Sequence, residues 1–228
     1  MKKTLTLFGT LLAGAAFAAT TTGLVGPTAM ETERGYPIHD LKSAPESTQE
    51  VLQWYVDNFQ FVPNLPAIMA KSPALSRSYW QVQKNLQEHG SLSQAEDNVV
   101  QMSIAVENRC QYCVAGHTMA GKMFFGSSDA ELAAMRSGSK LPTPKLEALR
   151  TFALAVAEGS GRVDDAALQA FLDAGYTRKQ SLDVVANIAA KVMSNYTNQL
   201  ARTPLDPPFV PLAEGLPFAE KRGVVSVD

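Results

Sequence analysis

Hydrophobic side chains recur every three or four residues along most of the chain, as on the buried face of a helix. Such patterns predict helices that start near residues 47, 73, 93, 110, 128, 144, 164 and 178. No segment of five or more residues alternates apolar and polar side chains as a strand would. The pattern therefore predicts an all-α fold, a compact domain of many helices.

Capping residues mark where these helices begin. In a capping box, a hydroxyl residue and an acid or amide residue three positions later accept the free amides at the start of a helix. The sequence has this pattern at 43–46, 47–50, 93–96, 128–131 and 177–180. Ser72 with Pro73, Thr143 with Pro144, and Asp164 predict three further starts. Pro63 and Pro66 are expected to interrupt the chain between helices. The apolar residues of the last long helix predict its inner face: Leu182, Val185, Ile188, Ala189, Val192, Met193 and Tyr196.

The ends of the chain differ from this helical middle. Residues 1–18 combine two lysines, a short apolar run and Ala16-Phe17-Ala18, which predicts a signal peptide cleaved after Ala18 and export to a periplasm or the medium. Residues 19–43 are expected to form a flexible leader, 44–200 the helical domain, and 201–228 an irregular proline-rich tail. No second apolar run is long enough to span a membrane, so no stable insertion is expected after cleavage.

The charge balance excludes some classes of partner. The 228 residues carry a formal net charge of −2, and loss of the two lysines in residues 1–18 would bring it to −4. A mildly acidic chain without basic clusters is a poor nucleic-acid binder, because binding to phosphates requires clustered Lys and Arg. About 210 mature residues suit one domain with a sizeable core.

The segment ENRCQYCVAGH, residues 107–117, holds both cysteines of the chain and one of its three histidines. A structural disulfide here would close a loop of four residues and would stabilise the fold by only about 2 kcal/mol. A zinc site would need a fourth ligand besides Cys110, Cys113 and His117. An accident of spacing is a third alternative. A redox-active thiol pair is the interpretation that the helical pattern favours.

That interpretation rests on where the helices are predicted to meet. If one helix ends near 108–109 and the next begins at Cys110, Cys113 lies in a first turn, where free amides and the helix dipole stabilise a thiolate. His117 lies one turn further on the same face and can act as a base or pair with the anion. We therefore expect Cys113 to be the nucleophile, Cys110 the resolving thiol, and His117 the group that promotes ionisation of Cys113.

Residues 92–118, LSQAEDNVVQMSIAVENRCQYCVAGHT, resemble the carboxymuconolactone decarboxylase superfamily and, within it, the AhpD-like alkylhydroperoxidases. The resemblance extends over roughly residues 50–209. It implies a helical fold, assembly into trimers or hexamers, and no cofactor or metal. It also implies that the cysteine nearer the histidine reduces a hydroperoxide or disulfide, and that an unidentified dithiol donor then reduces the resulting disulfide.

The sequence departs from the family pattern in two places. AhpD proteins have a glutamate about twelve residues before the first cysteine, as part of a proton relay to the histidine, and Asn98 stands there in this chain. Asparagine can bond the histidine but does not accept a proton at neutral pH. Glu107 and Glu96 are nearby carboxylates that could substitute, although each also fits a helix-end role. Tyr112 replaces a histidine between the cysteines and is expected to pack or to form a hydrogen bond.

The sequence thus predicts a thiol-dependent peroxidase or disulfide reductase that uses Cys113, Cys110 and His117, with Glu107 and Asn98 as further site residues. An enzyme acting on a ring acid or lactone is the alternative within the same superfamily, and it would not require two thiols. A binding protein with an idle disulfide is an alternative outside enzymes.

Overall fold

The computed structural model describes residues 30–218, in which ten α-helices and no β-strand are found. This confirms the predicted all-α fold. The helices are α1 (Glu46–Phe59), α2 (Asn64–Met69), α3 (Pro73–His89), α4 (Gln94–Glu107), α5 (Gln111–Ala120), α6 (Asp129–Ser137), α7 (Pro144–Glu158), α8 (Asp165–Asp173), α9 (Arg178–Ala201) and α10 (Val210–Ala213). A π-helical turn, Gly121–Phe125, continues α5, and a 3₁₀ turn, Pro207–Phe209, precedes α10.

Most of the predicted caps are present. Ser93, Ser128 and Thr177 form complete capping boxes, and Ser72 and Asp164 accept first-turn amides with their side chains. The two boxes predicted at 43–46 and 47–50 are wrong. Helix α1 begins directly after Pro45, which caps it without a side-chain hydrogen bond.

Helix α2 was not predicted, because Pro63 and Pro66 both fit an interruption of the chain. Pro63 lies just before the helix as its N-cap, and Pro66 is buried within the first turn. A first-turn residue has no intrahelical partner for its amide, so proline is tolerated there. The short helix that results contributes buried apolar side chains to the core.

Helix α4 is the central element of the fold. Every residue from Asn98 to Ala105 is buried, so this part of α4 has no face open to solvent. It packs against α5, α6, α7 and α9, and α3 packs against α9. The polar side chains that α4 carries, including Asn98 and Gln101, must therefore find partners inside the protein.

The predicted inner face of α9 is largely wrong, although Ile188 and Met193 are partly buried against the core. Leu182, Val185, Val192 and Tyr196 are exposed, with 70%, 50%, 37% and 60% of their surface accessible. The buried face of α9 is largely polar and comprises Val184, Asn187, Ala190, Lys191, Ser194, Asn195, Asn198 and Ala201. The polar stripe faces α4 and α5, where it meets polar groups, and the apolar stripe faces outward.

The segment after α9 folds back onto α5. The Phe209 ring packs edge-to-face on Tyr112 of α5 at 5.3 Å, and Arg136 donates to the carbonyls of Leu212 and Glu214. The predicted signal peptide, residues 19–29 of the predicted leader and residues 219–228 lie outside the described residues. None of the helices between residues 30 and 218 is long and apolar enough to cross a membrane.

Candidate functional site

The turn between α4 and α5 places the two cysteines. Arg109 adopts a left-handed conformation with φ of 52°, which turns the chain sharply after the end of α4. Cys110 is then the N-cap of α5, and Cys113 lies in the first turn. As the sequence predicted, the free amides and the positive end of the helix dipole lie beside these sulfurs.

The Cys113 sulfur is surrounded by hydrogen-bond donors. It lies 2.8 Å from the Cys110 sulfur, 2.9 Å from Nδ2 of Asn195 and 3.2 Å from Nδ2 of Asn198. The Asn198 amide also lies 3.7 Å from the Cys110 sulfur. Both cysteines are free thiols and are buried, with 1% and 4% of Cys110 and Cys113 exposed. Two side-chain amides from α9 thus converge on one sulfur.

This arrangement separates the ionisation of the two thiols. Burial by itself raises the pKa of Cys113, but the hydrogen bond from Cys110, the Lys191 charge and the two α9 amides together lower it to about 6. For Cys110, burial and the adjacent Cys113 raise the pKa well above its ordinary value. At neutral pH the pair therefore consists of one thiolate, Cys113, and one neutral thiol, Cys110, which donates to it.

Within residues 30–218, the hydrogen bonds of His117 go to Asn98 and Lys191 and not to the cysteine sulfurs. Its Nδ1 lies 2.8 Å from Oδ1 of Asn98, and its Nε2 lies 2.9 Å from Nζ of Lys191. Burial and the Lys191 ammonium lower the pKa of His117 well below its ordinary value, so the ring is neutral. Because the ammonium can only donate, Nε2 accepts from Lys191 and Nδ1–H donates to Asn98.

Lys191 is the cation of this cluster. Only 1% of its surface is exposed, which is rare for lysine. Between residues 30 and 218, no ion pair joins it to a carboxylate. Lys191, Asn195 and Asn198 follow one another at helical spacing on α9, so one helix face presents an ammonium and two amides to the thiols.

Asn98 fixes the far side of the imidazole. It is 1% exposed, and its Nδ2 is a buried amide nitrogen without a hydrogen-bond partner in the part of the chain that is described. Gly121 lies against it, and a Cβ on Gly121 would come within 2.8 Å of that nitrogen. The absence of a side chain at Gly121, in the π-helical turn, therefore leaves the space that Asn98 occupies.

Tyr112, between the cysteines, ties α5 to two other segments. Its hydroxyl donates to Asp206 and accepts the Leu65 amide at 3.1 Å. Asp206 also accepts the backbone amide of Asn64 at 3.1 Å. Burial raises the pKa of Asp206 to about 6 in spite of these hydrogen bonds. Tyr112 thus forms the hydrogen bonds expected of it and connects the thiol helix to α2 and to the segment after α9.

Comparison with known proteins agrees with this geometry. Residues 73–139 match the model of the carboxymuconolactone decarboxylase family. The structure resembles the alkylhydroperoxidase AhpD core of a peroxidase-related protein from Ralstonia eutropha JMP134, with a TM-score of 0.69, 24% identity, and coverage of 76% of this chain and 93% of that one. Residues 73–139 are therefore similar to the carboxymuconolactone decarboxylase family, and the chain has an AhpD-like fold.

Other structures with the AhpD-like fold differ in their named chemistry. A peroxidase-related protein from Silicibacter sp. TM1040 matches with a TM-score of 0.62 and 17% identity, over 83% of this chain and 97% of that one. The debrominase Bmp8 matches with a TM-score of 0.61 and 16% identity, over 74% and 90%. No curated protein sequence matches the chain. The fold therefore hosts more than one reaction, and function must be argued from the site.

The structure brings four of the five predicted site residues of this AhpD-like chain into one cluster. Cys110, Cys113, His117 and Asn98 are linked through the hydrogen bonds above and through Lys191. Glu107 is exposed at the end of α4, and no hydrogen bond to the cluster is found for it within residues 30–218. Glu96 completes the capping box of α4 and pairs with Lys145 at 3.3 Å. The described residues include no group of three or more His, Cys, Asp or Glu arranged to hold a metal ion.

Sequence reasoning missed the contribution of α9. Lys191, Asn195 and Asn198 were not predicted as site residues, because α9 was oriented by its apolar side chains. A signal was present, since Asn187, Lys191, Asn195 and Asn198 recur at intervals of four, four and three residues. A helix with one polar and one apolar stripe can be packed with either stripe inward. In this protein the polar stripe faces inward, because its side chains contact Cys113 and His117.

Proposed function

We propose that the chain is a thiol peroxidase in which Cys113 attacks a hydroperoxide and Cys110 closes the disulfide. The observation that carries this proposal is the set of donors on the Cys113 sulfur, which come from Cys110, Asn195 and Asn198. A thiolate is the reacting species in thiol chemistry, and a thiol with a pKa of about 6 is about 90% ionised at pH 7.

The proposed reaction has two steps. The Cys113 thiolate attacks one oxygen of the peroxide, the O–O bond breaks, and the departing alkoxide takes up a proton to leave as an alcohol. Cys113 is then a sulfenic acid. Cys110 attacks its sulfur, an S–S bond forms, and the hydroxyl leaves as water with the Cys110 proton. The peroxide is reduced by two electrons, and the thiol pair is oxidised by two.

The charge that favours the Cys113 thiolate comes, in this proposal, from Lys191. A neutral His117 supplies no positive charge, so its expected role changes from ion partner to connector. It accepts from Lys191 and donates to Asn98, which holds the ammonium in place beside the thiols. The proton that the departing alkoxide takes up comes from solvent in this proposal, so the ammonium keeps its charge.

Peroxide reduction with dithiothreitol as the electron donor tests the proposal. Wild type should reduce cumene hydroperoxide catalytically, and Cys113→Ser should have no activity above background. In a separate reaction without dithiothreitol, Cys110→Ser retains the nucleophile but cannot close the intramolecular disulfide, so it should consume about one equivalent of peroxide and yield a sulfenic acid detectable by dimedone labelling. Equal rates for wild type and Cys113→Ser would contradict the proposal.

Two expectations from the sequence remain proposals. We propose that the protein is exported after cleavage behind Ala18, which N-terminal sequencing of the mature protein would test. We also propose that it forms a homo-oligomer, because the family resemblance implies one and because α9 presents an apolar stripe to solvent. Light scattering of the mature chain would test the second proposal.

A further inference from the structure

The buried charge of Lys191 is balanced by an anion in the reduced form of the thiol pair but not in the oxidised form. In the reduced form the Cys113 thiolate balances the ammonium, and the Asn195 and Asn198 amides donate to that anion. In a disulfide both sulfurs are neutral and accept hydrogen bonds weakly. The oxidised site would therefore contain a lysine that is 1% exposed beside a neutral imidazole, without the anion that balanced it.

We propose that Lys191 and the α9 amides stabilise the dithiol, which raises the reduction potential of the Cys110–Cys113 disulfide, and that small monothiols are its reductants. A buried charge without a counter-charge is unfavourable, so the Lys191 ammonium destabilises the disulfide form, which lacks the thiolate, relative to the dithiol form. A disulfide whose reduced form is stabilised in this way has a high reduction potential. The proposal builds on the proposed redox cycle, but it does not depend on peroxide as the oxidant.

The burial of both sulfurs supports a small donor. Cys110 is 1% exposed and Cys113 is 4% exposed, so a folded protein thiol has little surface on which to meet the disulfide. A small monothiolate needs less space. It would attack the Cys110 sulfur and release Cys113, whose stabilised thiolate is the better leaving group. A second monothiol would then attack the mixed disulfide at the donor's own sulfur, release Cys110, which takes up a proton, and leave as the oxidised donor disulfide.

Ionisation of Cys113 sets a scale for the effect. With a pKa of about 6, ionisation at pH 7 favours the dithiol about tenfold over a pair of ordinary thiols. For a two-electron couple, tenfold corresponds to about 30 mV in reduction potential. Lys191 acts here as a positioning residue, because it changes the equilibrium through the charge that it holds beside the sulfur.

The test is the equilibrium of the pair with reduced and oxidised glutathione at pH 7, starting from disulfide formed with diamide so that no peroxide is involved. In a buffer rich in reduced glutathione, the wild-type pair should be mostly dithiol. Lys191→Met should shift the equilibrium several-fold, up to about tenfold, toward the disulfide. Lys179→Met is the matched control, because Lys179 is an exposed lysine on the same helix, and it should behave as wild type.

A second variant covers the case in which Lys191→Met does not fold. Asn195→Ala removes the amide that lies 2.9 Å from the Cys113 sulfur and should shift the equilibrium in the same direction. The proposal is wrong if wild type is mostly disulfide in reduced glutathione, or if the folded variants match wild type. It is also wrong if thioredoxin reduces the disulfide faster than glutathione at equal thiol concentration. Peroxidase turnover is measured separately, so either proposal can fail alone.

Discussion

Replacing Lys191 and His117 separately would show which of them ionises Cys113. The pKa of Cys113 is lowered from 9.0 to about 6, which corresponds to about 4 kcal/mol in favour of the thiolate. Lys191 is one of the groups that lower it, and His117 is neutral. We therefore expect Lys191→Met to raise the pKa of Cys113 by about one unit or more, the usual effect of removing an adjacent opposite charge, and His117→Gln to change it much less.

The assay is the pH dependence of thiolate absorbance at 240 nm, together with the rate of iodoacetamide alkylation, in the Cys110→Ser background. That substitution leaves one thiol, and a serine hydroxyl can still donate to it. At pH 7 the thiolate fraction should fall from about 90% to about half or less when Lys191 is replaced. If Lys191→Met kept the wild-type thiolate fraction and His117→Gln lost it, the reasoning would be refuted. The charge that stabilises the thiolate would then belong to an imidazolium.

A double variant makes the test independent of simple damage to the site. Asn98→Asp is nearly isosteric and places a carboxylate where Oδ1 now lies, 2.8 Å from Nδ1 of His117. An adjacent carboxylate favours the imidazolium, so His117 would gain the charge that Lys191→Met removes. We expect Asn98→Asp to restore part of the low pKa of Cys113 in the Lys191→Met protein. Failure to restore it in a folded double variant would show that the position of the ammonium matters, and not the charge alone.

Three further predictions concern the surroundings of the site. Gly121→Ala should destabilise the fold by about 1–3 kcal/mol and displace Asn98, whereas Gly116→Ala, whose new Cβ would lie 3.4 Å from its nearest neighbour, should cost less in urea unfolding. Burial raises the pKa of Asp206 to about 6 in the folded state, so the stability that its protonated form contributes is fully present below about pH 4 and is lost as the pH rises through 6. The Asp206 contribution to the free energy of unfolding should decrease by up to about 3 kcal/mol over that range, and Asp206→Asn should abolish this part of the pH dependence. If copies associate through the apolar stripe of α9, Val192→Asp should reduce the mass measured by light scattering, and a monomeric wild type would contradict the expected oligomer.

The parts of the fold that follow from local chemistry were predictable from sequence. The capping boxes at Ser93, Ser128 and Thr177 depend on residues three positions apart, and each is present. The turn that makes Cys110 an N-cap follows from the break between two helical patterns. Predictions failed at Pro63 and Pro66, because a proline beside or in the first turn of a helix has the same sequence signature as a proline that ends one.

The orientation of α9 could not be derived from its sequence, because the helix has two stripes and either could face inward. Burial of apolar area favours turning Leu182, Val185 and Tyr196 toward the core. The fold instead buries Asn187 and Lys191, and each of them is satisfied there. Asn187 accepts from Gln101 at 2.7 Å and donates to Asp97 at 2.8 Å, while Lys191 reaches the ring of His117. Tertiary partners on α4 and α5 thus decide the orientation, and they are far away in sequence.

Lys191 and Asn98, which stands where the AhpD proteins that the chain resembles have a glutamate, belong to one electrostatic arrangement. A carboxylate at position 98 would hold His117 as an imidazolium, and a second cation at Lys191, 2.9 Å from the ring, would then repel it. An amide at Asn98 accepts the same N–H without bringing a charge, which leaves the ring neutral and able to accept from Lys191. The positive charge beside the thiols is thereby moved from the imidazole, which titrates near neutral pH, to an ammonium on α9.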